Sequence, residues 1–184
     1  MSEPLTLGMV LFIFSESIFF LLLVMAYAFF HASGGEGPTA AGTLDVLRSS
    51  LFTAALLASS LTIWRAGVNL KRGRRRRFGA WLSVTIALGA VFLAGQGAEY
   101  LGLLREHVTI SRNLFGATFF TLTGFHGFHV LVGLIVLAIL LWITVSARDG
   151  EPDPLAVDAA SMYWHFVDGV WVVVFSVVYL WKFA

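Results

Sequence analysis

Glu16, His126, His129, His165 and Asp168 are the side chains of this sequence whose types and spacing could do chemistry. His126 and His129 lie three residues apart in Thr123-Gly124-Phe125-His126-Gly127-Phe128-His129, so a helix would project both from nearly one face. His165 and Asp168 repeat that spacing. Three chemistries suit such a set. Mutual hydrogen bonds would make a structural clamp between helices. A buried carboxyl beside an imidazole could instead hold and pass protons. A metal site has suitable ligand types, but the spacing matches no compact metal motif. No metal is expected.

The elements that must carry these residues are membrane helices. Of 184 residues, 58% are apolar and 12% charged; a soluble domain has about 25% charged. A spanning helix needs roughly 20 apolar residues, and five segments qualify, at about 5–30, 46–66, 78–101, 114–145 and 157–181. The predicted fold is an all-α bundle of five transmembrane helices in one domain, residues 1–184. The N-terminus has no basic n-region, so the first segment is expected to be a retained helix and not a cleaved signal peptide. There are no cysteines, which excludes disulfides, thiolate metal centres and covalent haem attachment. No internal repeat is visible, so an inverted-repeat transporter lacks support.

Seven of the twelve Lys and Arg fall between residues 65 and 77. This run sits too close to two spans for a nucleic-acid site. It reads as a cytoplasmic loop under the positive-inside rule, placing the N-terminus inside and the C-terminus outside. Trp64, Trp81 and Trp142 then fall near the inner boundary and Trp181 near the outer one. Pro152 and Pro154 are expected to keep 147–156 non-helical. In the second segment, Ala54/Ala58 and Ala55/Ser59 are small residues one turn apart, suited to close helix contact in lipid.

A rise of about 1.5 Å per residue puts Glu16 about 16 Å from the inner end of its helix, level with Asp168 and close to His126, His129 and His165. The expectation is one polar cluster, with Glu16 bonded to one histidine and Asp168 to another, holding the first, fourth and fifth helices together. Gln96, Glu99 and Tyr100 fall near the outer end of the third helix. They read either as a snorkelled helix end or as a contact with a neighbouring subunit.

Several blocks, in order along nearly the whole chain, resemble subunit III of the haem–copper terminal oxidases, the cytochrome c oxidase type. They are residues 9–16 ending in Ser15-Glu16, then Phe19-Phe20; Leu56-Leu57-Ala58-Ser59; Gln96-Gly97-Ala98-Glu99-Tyr100; residues 116–120; residues 123–130; and Tyr163-Trp164-His165-Phe166-Val167-Asp168 with Trp171. Longer members of that family have seven helices, and the resemblance here follows the five-helix short form. Gly169 stands where the family usually has a bulkier apolar residue, and a closer helix approach is expected there.

The resemblance implies a non-catalytic subunit that binds no haem or copper itself, those groups residing in partner subunits I and II. It implies stabilisation of subunit I, support of proton uptake during O₂ reduction, a place for structural phospholipid and a bacterial cytoplasmic (inner) membrane location. It also makes Glu16 the match of the family's intramembrane carboxyl. A quinol oxidase or nitric oxide reductase-type complex would use a closely related subunit. A proton-coupled transporter is the reading from a different class.

Overall fold

The computed structural model describes residues 3–32, 46–105, 114–146 and 153–180. They form five helices: α1 (Glu3–Ala32), α2 (Val46–Lys71), α3 (Arg75–Arg105), α4 (Leu114–Ser146) and α5 (Pro154–Phe175). A π-helical turn, Ser176–Leu180, continues α5. All five helices are long and apolar enough to cross a membrane. Residues 33–45, 106–113 and 147–152, Pro152 among them, and Trp181 lie outside the described residues.

Helix boundaries differ from the sequence expectation where charge meets the chain. α2 runs five residues past Ala66, and α3 starts three residues before Phe78, so Lys71, Arg75, Arg76 and Arg77 are helical. Arg and Lys are good helix formers, and nothing requires a helix to stop where the apolar run stops. The connection is a tight turn at 72–74. Gly73 takes φ +66°, a conformation open to glycine at little cost. Its N–H donates to Leu70 O at 2.8 Å, and that of Arg74 to Asn69 O at 2.9 Å, satisfying the last carbonyls of α2. Pro154, expected to prevent helix, begins α5 instead. At the first helical position the missing N–H costs nothing, and Asp153 caps the turn by accepting from Leu155 N at 2.9 Å.

Cross-helix pairs define the packing. Ser49–Glu99 and Thr62–Thr85 join α2 to α3; Arg75–Thr144 and Gln96–Thr123 join α3 to α4; Thr53–Trp171 and Ser59–Trp164 join α2 to α5. In each set residue numbers rise on one helix as they fall on the other, so these neighbours are antiparallel. α1 lies against α4 and α5, with Phe19 on Phe125 and Phe12 on Tyr163. Among its described side chains only Phe20 and Tyr27 are buried, and it is the outermost helix.

α5 is the axis of the bundle. Trp164 and Trp171, one helical face two turns apart, are both fully enclosed. The Trp164 indole lies between Gly89 of α3 and Gly133 of α4, where a Cβ on either would stand 2.8 Å from the ring. Its Nε1–H donates to Ser59 Oγ at 2.8 Å, and that of Trp171 to Thr53 Oγ1 at 3.0 Å. Large aromatic area is thus buried with both indole donors satisfied. The small residues expected to mediate close contact only partly do so. Ser59 is buried, but Ala54 is exposed and Ala55 and Ala58 are half-buried. The working contacts of α2 are its hydroxyls, which bond across helices where water is absent. Gly169 does not bring helices together either, since a Cβ there would meet nothing within 4 Å.

Candidate functional site

The ionisable residues divide into separate centres, not the single cluster expected. The first joins α1 to α4. Ser15 and Ser17 donate their hydroxyls to carbonyls of their own helix, at Phe12 and Ile13. That leaves Glu16 to seek a partner across the interface. Its Oε2 lies 3.1 Å from His129 Nε2, and His129 Nδ1 lies 2.7 Å from Phe125 O. A carbonyl only accepts, so Nδ1 carries a hydrogen and donates it. The remaining contact therefore needs one proton between Nε2 and Oε2. With the proton on nitrogen the pair is imidazolium and carboxylate. With it on oxygen both groups are neutral. In either form the pair is net neutral and keeps its hydrogen bond, which suits two groups held away from water.

His126 does not join this pair. It is fully buried, and among the described residues neither ring nitrogen has a hydrogen-bond partner. Its ring packs against Trp171 at 4.8 Å between centroids, Phe92 at 5.9 Å and Phe20 at 6.3 Å. A spacing of three residues turns a helix by less than a full turn. That is enough for His129 to face Glu16 while His126 faces an aromatic box between α1, α3 and α5.

The second centre joins α2 to α5. Ser60 Oγ donates a short hydrogen bond to Asp168 Oδ2 and lies 3.0 Å from His165 Nδ1. With the serine hydrogen given to the carboxylate, the imidazole N–H must be the donor to Oγ. The order is His165 N–H to Ser60 O–H to Asp168. Asp168 is buried whereas His165 is exposed on the bundle surface. The expected histidine partner of Asp168 is thus replaced by a serine relay, and the helices tied are α2 and α5, away from Glu16.

The third centre contains Gln96, Glu99 and Tyr100, which face into this chain and not out from a snorkelled end. Glu99 accepts from Ser49 Oγ at 2.9 Å and from Tyr179 OH at 2.6 Å. Gln96 Nε2 donates to Thr123 O at 3.0 Å. Thr123 gives its hydroxyl hydrogen to Phe119 O, so Tyr100 OH donates to Thr123 Oγ1, at 2.6 Å. A cavity of about 120 Å³ lies here, lined by residues that include Arg48, Ser49, Gln96, Glu99 and Tyr179. The π turn after α5 sets Tyr179 on Glu99.

Sequence reasoning missed Ser49, Ser60 and Tyr179. Hydroxyls are common in membrane helices, and nothing in their spacing identifies which will meet a carboxylate. Among the described residues no group of three or more His, Cys, Asp or Glu could hold a metal ion.

A family model described as cytochrome c oxidase subunit III matches residues 1–183. The protein named cytochrome c oxidase subunit 3 from Oncorhynchus clarkii is 39% identical over 188 residues, covering 97% of this chain and 70% of that protein. The one so named from Synechocystis sp. is 35% identical over 180 residues, covering 94% and 74%. With a match end to end and a five-helix membrane bundle to carry it, the chain belongs to the cytochrome c oxidase subunit III family.

Proposed function

We propose that this protein is the non-catalytic third subunit of a respiratory haem–copper cytochrome c oxidase in a bacterial cytoplasmic membrane. It docks on subunit I, protects it from inactivation during turnover and supports proton uptake while O₂ is reduced. Haem and copper belong to subunits I and II, and this chain supplies none of the redox chemistry. The family match over residues 1–183 carries the reading. The arrangement of polar groups is compatible with it. The first two centres each tie two helices of this chain together and the third ties α2, α3, α4 and the turn after α5, which is the work of a scaffold. The Glu16–His129 pair, half-buried and holding one shared proton, is the group best placed to respond to charge or protons in a neighbouring subunit.

The basic end of the bundle, from Lys71 to Arg77, is placed on the cytoplasmic side, which puts the amino terminus inside and the carboxyl terminus outside. The decisive experiment purifies the oxidase with and without this chain and follows O₂ consumption through successive turnovers. Faster decay of activity without the chain is expected. Equal decay in both preparations would remove the supporting role.

A further inference from the structure

We propose that the outer face of α5 around His165 is the docking face for a membrane-spanning helix of a neighbouring subunit, which sets an oxygen acceptor on His165 Nε2–H. The inference rests on the reading of this chain as part of a larger membrane complex. His165 lies about 16 Å along α5 from Pro154, near the middle of the bilayer. Its side chain is exposed, while Trp164 and Asp168 beside it are buried. Ionisable side chains at this depth face protein or a water-filled cavity, not lipid. Nδ1 is engaged by Ser60 Oγ at 3.0 Å, and among the described residues Nε2 has no hydrogen-bond partner.

Charge balance decides what Nε2 offers. An isolated charge in hydrocarbon is costly, so the His165–Ser60–Asp168 relay is net neutral. With a carboxylate at Asp168 the balancing form is imidazolium, and both ring nitrogens carry hydrogen. Nδ1–H is used on Ser60, and Nε2–H is left over. Moving one proton through Ser60 to Asp168 makes all three groups neutral. The serine then donates to Nδ1, and Nε2 still keeps its hydrogen. In both forms the unpartnered nitrogen is a donor, so its partner is an acceptor. Acyl chains carry no acceptor at this depth, and water is absent there. A protein helix brings one as a side-chain carboxylate, amide or hydroxyl oxygen, the groups that bond between helices in membranes.

The surroundings suit a helix. Leu57 and Trp64, one turn either side of Ser60 on α2, are exposed. On α5, Val172 lies two turns from His165 on the same face and is 44% exposed, with exposed Gly169 between them. A groove of about 350 Å³ lies beside Gly169 between α1 and α5, lined by residues that include Phe20, Leu21, Val24, Phe166 and Val173. It is a recess for apolar side chains of the docking helix.

The test uses the assembled oxidase carrying the photo-cross-linker benzoylphenylalanine at position 172, illuminated and digested for mass spectrometry. The expected adduct is with a membrane-spanning segment of another subunit. Such an adduct supports the docking face whether or not that chain is an oxidase subunit, whereas co-purification of the wild type with subunits I and II tests the proposed function separately. Adducts with lipid alone, or with a second copy of this chain, would overturn the docking. His165→Leu should speed loss of this chain from the immobilised complex in detergent about fivefold, the weight of one interhelical hydrogen bond in a membrane. His165→Gln, which keeps an N–H donor, should restore most of the retention. Val172→Trp leaves every polar group in place and adds bulk at an exposed position, and it should speed loss at least as much as His165→Leu. A wild-type rate in His165→Leu or Val172→Trp, or a His165→Gln rate as fast as that of His165→Leu, would also sink the proposal.

Discussion

His129 is held at both ring nitrogens by different helices: Nδ1 by Phe125 O of its own α4 at 2.7 Å, Nε2 by Glu16 of α1 at 3.1 Å. The first bond fixes the tautomer, and the tautomer makes the second bond a single-proton link. The described side chains of α1 are mostly exposed. This link joins α1 to α4 beside the ring contacts Phe19–Phe125 and Phe20–His129.

Glu16→Ala should loosen α1, because it leaves His129 Nε2 without a partner in a half-buried site, at a cost of about 1–3 kcal/mol. Glu16→Gln should cost less, since an amide can donate to the same nitrogen. Thermal unfolding of the purified complex in detergent, read by intrinsic fluorescence, distinguishes the two. Equal losses for Ala and Gln would mean that the hydrogen bond is not what holds α1.

Removing the serine relay should weaken the α2–α5 contact. In Ser60→Ala the buried Asp168 loses its hydrogen-bond donor, and an unsatisfied buried group costs about 1–3 kcal/mol. Adding Asp168→Ala on that background should recover part of the loss, because an unpaired buried carboxyl is worse than none. A double-mutant cycle on the unfolding midpoint measures the coupling. Strict additivity would sink the relay.

Gly133→Ala and Gly89→Ala should each destabilise the bundle by about 1–3 kcal/mol, since the new methyl collides with the Trp164 indole. Gly169→Ala is the internal control. It meets no atom within 4 Å and should be neutral or slightly stabilising, by up to about 1 kcal/mol from helix propensity. Unfolding midpoints of the three variants check the ranking.

Tyr179→Phe should disturb Glu99 and the turn after α5, with a loss of about 1–3 kcal/mol for the hydrogen bond to the carboxylate. Lys71→Ala should change little by comparison. Its pair with Asp158, at 3.2 Å, has the lysine 64% exposed, and such pairs contribute about 0–1 kcal/mol. Limited proteolysis near the carboxyl terminus should register the first change and not the second.

Hydropathy alone determined that this chain forms five membrane helices, because a span of bilayer thickness demands a run of apolar residues long enough to read directly. Depth along each helix followed from a constant rise, so the sequence also placed Glu16, His129 and Asp168 at similar levels. Rotation about each helix axis is different, since it depends on which neighbours a face meets. Only the tertiary structure turned His126 into an aromatic box and His129 onto Glu16. It also gave Asp168 to Ser60, and it drew Glu99 inward to Ser49 and Tyr179. A periodic apolar pattern fixes which face is buried only when the other face is polar. In a helix whose outer face meets lipid both faces are apolar, and packing against neighbours decides the rest.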